Sequence, residues 1–170
     1  MLIRDMKREN PIDKALKDPF EVKVQAYASR IIQVSHLLDW MTEKAGNKLK
    51  VYHSTFSISE EFIRNIIALK GRKNIEHYKL VIDRKALLKI LHLKKFISSA
   101  VDEAVLADNH SKIIIVEGSH GKLLAVTSQN LTRGNRTEST IVTSELSAVD
   151  EMLKAYHELT ASGVNINCDK

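Results

Sequence analysis

The stretch that most constrains this chain is residues 110–138, HSKIIIVEGSHGKLLAVTSQNLTRGNRTE. Residues 112–116 and 123–127 are short, mostly aliphatic runs joined by Glu117-Gly118-Ser119-His120-Gly121. Runs of that length, bounded by glycine and serine, read as the two strands of a hairpin. Their middles are apolar enough to be buried and rigid, and polar residues gather at their outer ends. Residues two apart on a strand project to one side, so His110 and Lys112 point together, as do Ser128 and Asn130. Folding the hairpin about Ser119 places His110 across from Ser128. An imidazole, an ammonium, a hydroxyl and an amide then converge on one patch. Such a patch suits a phosphate. Lys112 supplies a point charge and Asn130 a donor. His110 titrates near neutral pH and serves as nucleophile or acid–base group.

The remaining chain supplies strands alternating with helices. Residues 22–45 read as a helix, with Ile31, Ile32, Val34, Leu37, Leu38 and Met41 on one face and Gly46-Asn47 as its stop. Residues 49–56 read as a strand, followed by a capping box at Ser57-Ile58-Ser59-Glu60 and a helix carrying Phe62, Ile63, Ile66, Ile67 and Leu69 up to Gly71. Strands are expected at 78–82, 104–107 and 140–142, a helix over 85–98, and a closing helix through Leu146, Val149, Leu153 and Tyr156. This order predicts an α/β fold, a mixed β-sheet flanked by helices. Residues 1–20, broken by Pro11 and Pro19, read as an arm, 21–47 as a helix packing on the domain, 48–163 as the domain itself and 164–170 as a tail.

Those residues carry a resemblance. His110-x-Lys112, four residues, then Glu117, followed by Ser128-x-Asn130 and 135–138, resembles the motif of the phospholipase D superfamily, H-x-K-x4-D with a following G-S-x-N and N-x-E. The resemblance implies that superfamily's α-β-α sandwich. It implies a phosphodiesterase in which one histidine attacks phosphorus to form a phosphohistidine while a second protonates the leaving group. Lys112 and Asn130 would stabilise the phosphoryl oxygens and Glu138 would orient a histidine, with no metal and no other cofactor. With one motif in the chain, the resemblance implies a homodimer sharing one active site on its twofold axis. The compact dimeric nucleases of the superfamily are the nearest likeness, so DNA is the expected substrate. The alternatives are a phospholipase D-type lipid phosphodiesterase and a DNA-binding module of the same fold without catalysis.

Three departures stand out. Glu117 replaces the motif's aspartate, and by strand alternation it points away from His110 and Lys112, as a structural acid would. Thr127 replaces the glycine, and 135–138 is one residue longer than N-x-E. Ser128, Arg133 and Arg136 are expected beside the phosphate, with Thr55 and His53 lining the pocket from the end of the first domain strand. His120 reads as a turn residue, and His36, His77, His92 and His157 have no metal-ligand spacing among them. The clusters Lys70, Arg72, Lys73 and Lys94, Lys95 read as solvated faces, and no apolar stripe beside the motif suggests access for lipid.

Composition agrees. A length of 170 residues with 44% hydrophobic and 28% charged residues fits one globular domain. Cys168 is alone and can form no internal disulfide. No run is long enough for a bilayer span, and MLIRDMKREN has no apolar secretory core, so a cytoplasmic protein is expected. The net charge of +5 suits a polyanionic partner, whereas aromatics at 5% do not suggest a stacking platform for single strands.

Overall fold

The computed structural model describes residues 10–132 and 134–167. Eight strands form one sheet in the order β1-β7-β6-β5-β2-β3-β4-β8. In chain order the elements are β1 (Val24–Ser29), α1 (Val34–Ala45), β2 (Leu49–Thr55), α2 (Glu60–Arg72), β3 (Ile75–Asp83), α3 (Leu87–Ile90) and α4 (Lys94–Ala100). They are followed by β4 (Glu103–Ala107), β5 (Ile113–Gly118), β6 (Gly121–Thr127), β7 (Glu138–Thr143), α5 (Leu146–Ala161) and β8 (Val164–Asn165). Strands β2, β3 and β4 run parallel, while β5, β6, β7 and β1 follow one another antiparallel.

The expected mixed sheet between helical layers is present. Burial of both faces explains the aliphatic runs of the hairpin. Ile114, Val116, Leu123 and Ala125 face the larger core with α1 and α2, while Ile115 and Leu124 face the smaller core under α5. Full burial of each such side chain stabilises by about 1.5–3 kcal/mol, so the hairpin is a rigid centre for whatever its ends carry.

The N-terminal third differs from expectation. Residues 24–29 form a strand against β7, and the helix starts only at Val34. The apolar residues Val24, Ala26 and Ala28 occupy the exposed side of β1, so the alternation was present but with its sense inverted. Residues 10–20 are no loose arm either. Ile12 and Leu16 are buried in the larger core, while residues 1–9 lie outside the described residues. The cap of α2 is Ser59, which accepts from the Phe62 backbone N–H, rather than Ser57. The helix expected over 85–98 is broken, with 3-10 turns at Arg84–Ala86 and Leu91–Leu93 on either side of the four-residue α3. Residues 164–165, expected in a tail, pair with β4.

The hairpin register is also shifted by one. Gly118 faces Gly121 across a two-residue turn, Ser119-His120, and Ile113 faces Val126. Among the described residues no helix is long and apolar enough to cross a membrane.

Candidate active site

The topology brings a set of strand ends to one edge of the sheet. Ile113, at the start of β5, pairs with Ser54 near the end of β2, and Asp83, at the end of β3, pairs with Ala107 at the end of β4. The end of β6 joins them, because Thr127 N–H donates to the Lys112 carbonyl at 3.0 Å. The start of β7 and the end of β1 complete the row through the Ser29–Glu138 pair. The carboxyl ends of parallel strands are where open α/β sheets bind ligands. His110, Lys112, Ser128, Asn130 and Glu138 all lie along this edge.

His110 is exposed, and its ring meets Phe56 edge-on, with centroids 5.4 Å apart and planes at 73°. Its backbone is clamped by the preceding residue. Asn109 N–H donates to Asp83 at 3.1 Å, and the Asn109 amide donates to the carbonyls of Thr55 at 3.1 Å and Ser111 at 3.2 Å. Asn109 Oδ1 in turn accepts from Ser111 N–H at 3.1 Å. This last bond is an Asx turn, the one signal in the sequence that could have singled out Asn109. Lys112 Nζ donates to the His110 carbonyl at 3.1 Å, folding the ammonium back towards the histidine.

The opposite wall is the loop after β6. Leu131 is stitched to the loop after β2: its N–H donates to the Ser57 carbonyl, and its carbonyl accepts from Ser59 N–H and Ser59 Oγ. Gln129 is buried and donates to the Ile32 carbonyl at 2.9 Å. Asn130 is held between these two anchors, yet its Oδ1 is buried with no hydrogen-bond partner among the described residues. An unsatisfied buried amide oxygen is costly unless something else meets it. Asn130, Arg136 and Glu138 line a cleft of about 190 Å³ with Arg30, Gln33 and Gln129. Sequence reasoning did not single out Arg30 or Gln33. Both come from the segment read as helix, and only the β1–β7 pairing brings them here.

Several expected placements are corrected. The shifted register puts Lys112 opposite Thr127, so His110 does not lie directly across from Ser128. The Ser128 hydroxyl donates to Glu138 and accepts from Ser139 N–H at 3.0 Å, so among the described residues of one copy the carboxylate holds a serine. His53 does not line the pocket. It is 1% exposed, bonded through Nδ1 to the Tyr78 hydroxyl at 2.8 Å and packed against Phe62. Burial pulls its pKa down to about 3. It is a neutral core histidine.

Thr55 is fully buried and serves as a latch, donating to the Ser57 carbonyl and accepting from Leu131 N–H. Glu117 sits at the far end of β5, where it accepts from the Tyr52 hydroxyl at 3.2 Å and pairs with Lys122 at 3.2 Å. Arg133 lies outside the described residues.

No family model matches the chain, and no curated protein sequence matches it. Solved structures do. A phospholipase D family member, Nuc from Salmonella typhimurium, superposes with a TM-score of 0.67 at 17% identity, over 85% of this chain and 98% of that one. NucT from Helicobacter pylori gives 0.56 at 13% identity, over 84% of this chain and 99% of that one. TrmBL2, an archaeal chromatin protein whose structure shows a mode of DNA binding, gives 0.53 at 15% identity, over 81% of this chain and 52% of that one. At these identities the likeness is one of architecture. The chain has the phospholipase D fold.

Proposed function

We propose that this chain is a phosphodiesterase cleaving DNA through a phosphohistidine, in an active site shared by two copies. The observation that carries the reading is the row of His110, Lys112 and Asn130 along one edge of a rigid sheet. His110 is open to solvent, and Asn130 holds a buried oxygen with no partner.

In the proposed reaction an imidazole nitrogen of His110 donates its lone pair to phosphorus. The phosphorus–oxygen bond to the leaving strand breaks, and that oxygen takes a proton from the partner's His110. Water then attacks phosphorus and gives its proton to the partner's His110. The phosphorus–nitrogen bond breaks, releasing the 5′ or 3′ phosphate and restoring the imidazole. Lys112 and the Asn130 amide meet the charge that builds on the non-bridging oxygens.

The net charge of +5 favours approach of a polyanion. The test is cleavage of plasmid and single-stranded DNA in excess chelator, with acid-free quenching to trap a protein-bound phosphoryl group. The expected result is cleavage and a trapped adduct, both abolished by His110→Ala, whose side chain is exposed and whose removal leaves the fold intact. Cleavage only with added metal, or equal cleavage by the variant, overturns the mechanism.

One observation favours a second reading. Glu138 is bound to Ser128 and, among the described residues of one copy, to no histidine, which suits a DNA-binding module without catalysis. That reading expects salt-sensitive DNA binding, no cleavage and no adduct.

A further inference from the structure

The broken helical segment between β3 and α4 has two unlike sides. Ala86, Ile90 and Leu93 point inward and are 0%, 1% and 7% exposed. Leu87, Leu88 and Leu91 point outward at 37%, 82% and 52%. Lys85, Lys89, His92 and Lys95 are exposed among them. From residue 84 to residue 101 the sequence contains no aspartate or glutamate. Arg84 is paired with Asp108 at 2.9 Å, but among the described residues Lys85, Lys89, Lys94 and Lys95 have no carboxylate partner. The carboxylate of Asp83, just before the segment, is turned inward to the backbone N–H groups of Lys85 and Asn109.

Three leucines exposed within five residues and ringed by lysines are unusual on a solvated surface. A single-charge fringe around an apolar centre narrows the choice of partner. A nucleic acid would neutralise the lysines but leave the leucines facing a polar backbone. A second copy docking by twofold symmetry would bring two sets of lysines together, and like charges across an interface are repelled. An anionic bilayer surface satisfies both features at once. Leucines enter the headgroup–acyl boundary while lysines remain among the anionic headgroups.

We infer that residues 84–95 form a membrane-docking surface for anionic lipid. The segment leaves β3 at Asp83, which holds Asn109 beside His110, so docking brings the candidate site close to the lipid surface. The inference does not depend on the phosphodiesterase reading, because it concerns binding alone.

The test is co-sedimentation of the full chain with vesicles of phosphatidylcholine, with and without phosphatidylglycerol. Expected are binding only to the anionic vesicles and loss of binding at high salt. Leu88→Ser with Leu91→Ser, and separately Lys85→Gln with Lys89→Gln, should each lower the partition coefficient by about tenfold or more. Thermal midpoints should be unchanged, since these side chains are exposed. No binding to anionic vesicles overturns the inference, as does binding indifferent to the leucine changes. It is equally overturned if the leucine variants instead lose oligomeric mass in sedimentation equilibrium, or lose affinity for a DNA oligonucleotide to the same degree.

Discussion

The β5–β6 hairpin has two polar ends that fare differently. At its turn, every polar group has a structural partner. Glu117 is held by Tyr52 and Lys122, the Ser119 hydroxyl accepts from Asn47 N–H at 3.0 Å, and His120 Nδ1 lies 3.2 Å from the Lys44 carbonyl. At the open end, among the described residues, the His110 ring meets the edge of Phe56, Lys112 bonds a carbonyl two residues away, and Asn130 leaves a buried oxygen unmet. One end is saturated and braces the sheet against α1 and α5. The other is rigid in its backbone and leaves the His110 ring open to solvent and one amide oxygen unmet among the described residues, a combination that suits a preorganised site.

Substitutions should therefore separate activity from stability between the two ends. After His110→Ala, the largest effect is expected from Asn130→Ala. It should slow DNA cleavage about 100-fold, by loss of one oxyanion donor, and leave the urea midpoint nearly unchanged. A large stability loss with normal cleavage would erase the contrast. Next is Gly118→Ala at the turn, where an added Cβ would lie 2.3 Å from the Ala45 carbonyl oxygen. It should cost about 2 kcal/mol in denaturant unfolding and spare cleavage per folded molecule.

The smallest effect belongs to Glu117→Gln, about 0.5 kcal/mol with normal cleavage, since Lys122 retains its contact with Asp150 at 2.8 Å. This variant also sharpens a pH signature. Tyr52 is pushed up to about 12, first by burial and then by the charge of Glu117 and the hydrogen bond to it. The folded state thus keeps the phenol proton after the unfolded chain has lost it, and stability falls as pH rises from about 10 to about 12. Removing the Glu117 charge should move the ultraviolet titration of Tyr52 downward and shrink that fall.

Much of this was legible in the sequence where a signal was local. The hairpin could be read because its apolar runs are buried on both sides, and Glu117 was assigned to the other face by alternation alone. What escaped depended on tertiary partners. β1 has Ala26 and Ala28 on its solvent side, so nothing local separates it from a helix start until β7 pairs with it. The register differs because residues 117–121, polar or glycine throughout, read as the loop, whereas only Ser119-His120 turn. Its position in β2 points His53 to the pocket, but the Tyr78 hydroxyl and the Phe62 ring that claim it come from β3 and α2. The exposure of Leu88 could not be read from an apolar run that also supplies Ile90 to the core.

The pairing of β1 with β7 also bears on how the chain is made. Among the described residues β1 has β7 as its one strand neighbour, so Ser29 must wait for Glu138. Until residues 138–143 emerge, β1 and the outer edge of β6 both present unpaired backbone donors and acceptors, and each is a template for foreign strands. A chain halted before β7 therefore leaves the outer side of β6 bare, whereas completing that one strand covers it and moves the sheet edge out to β1.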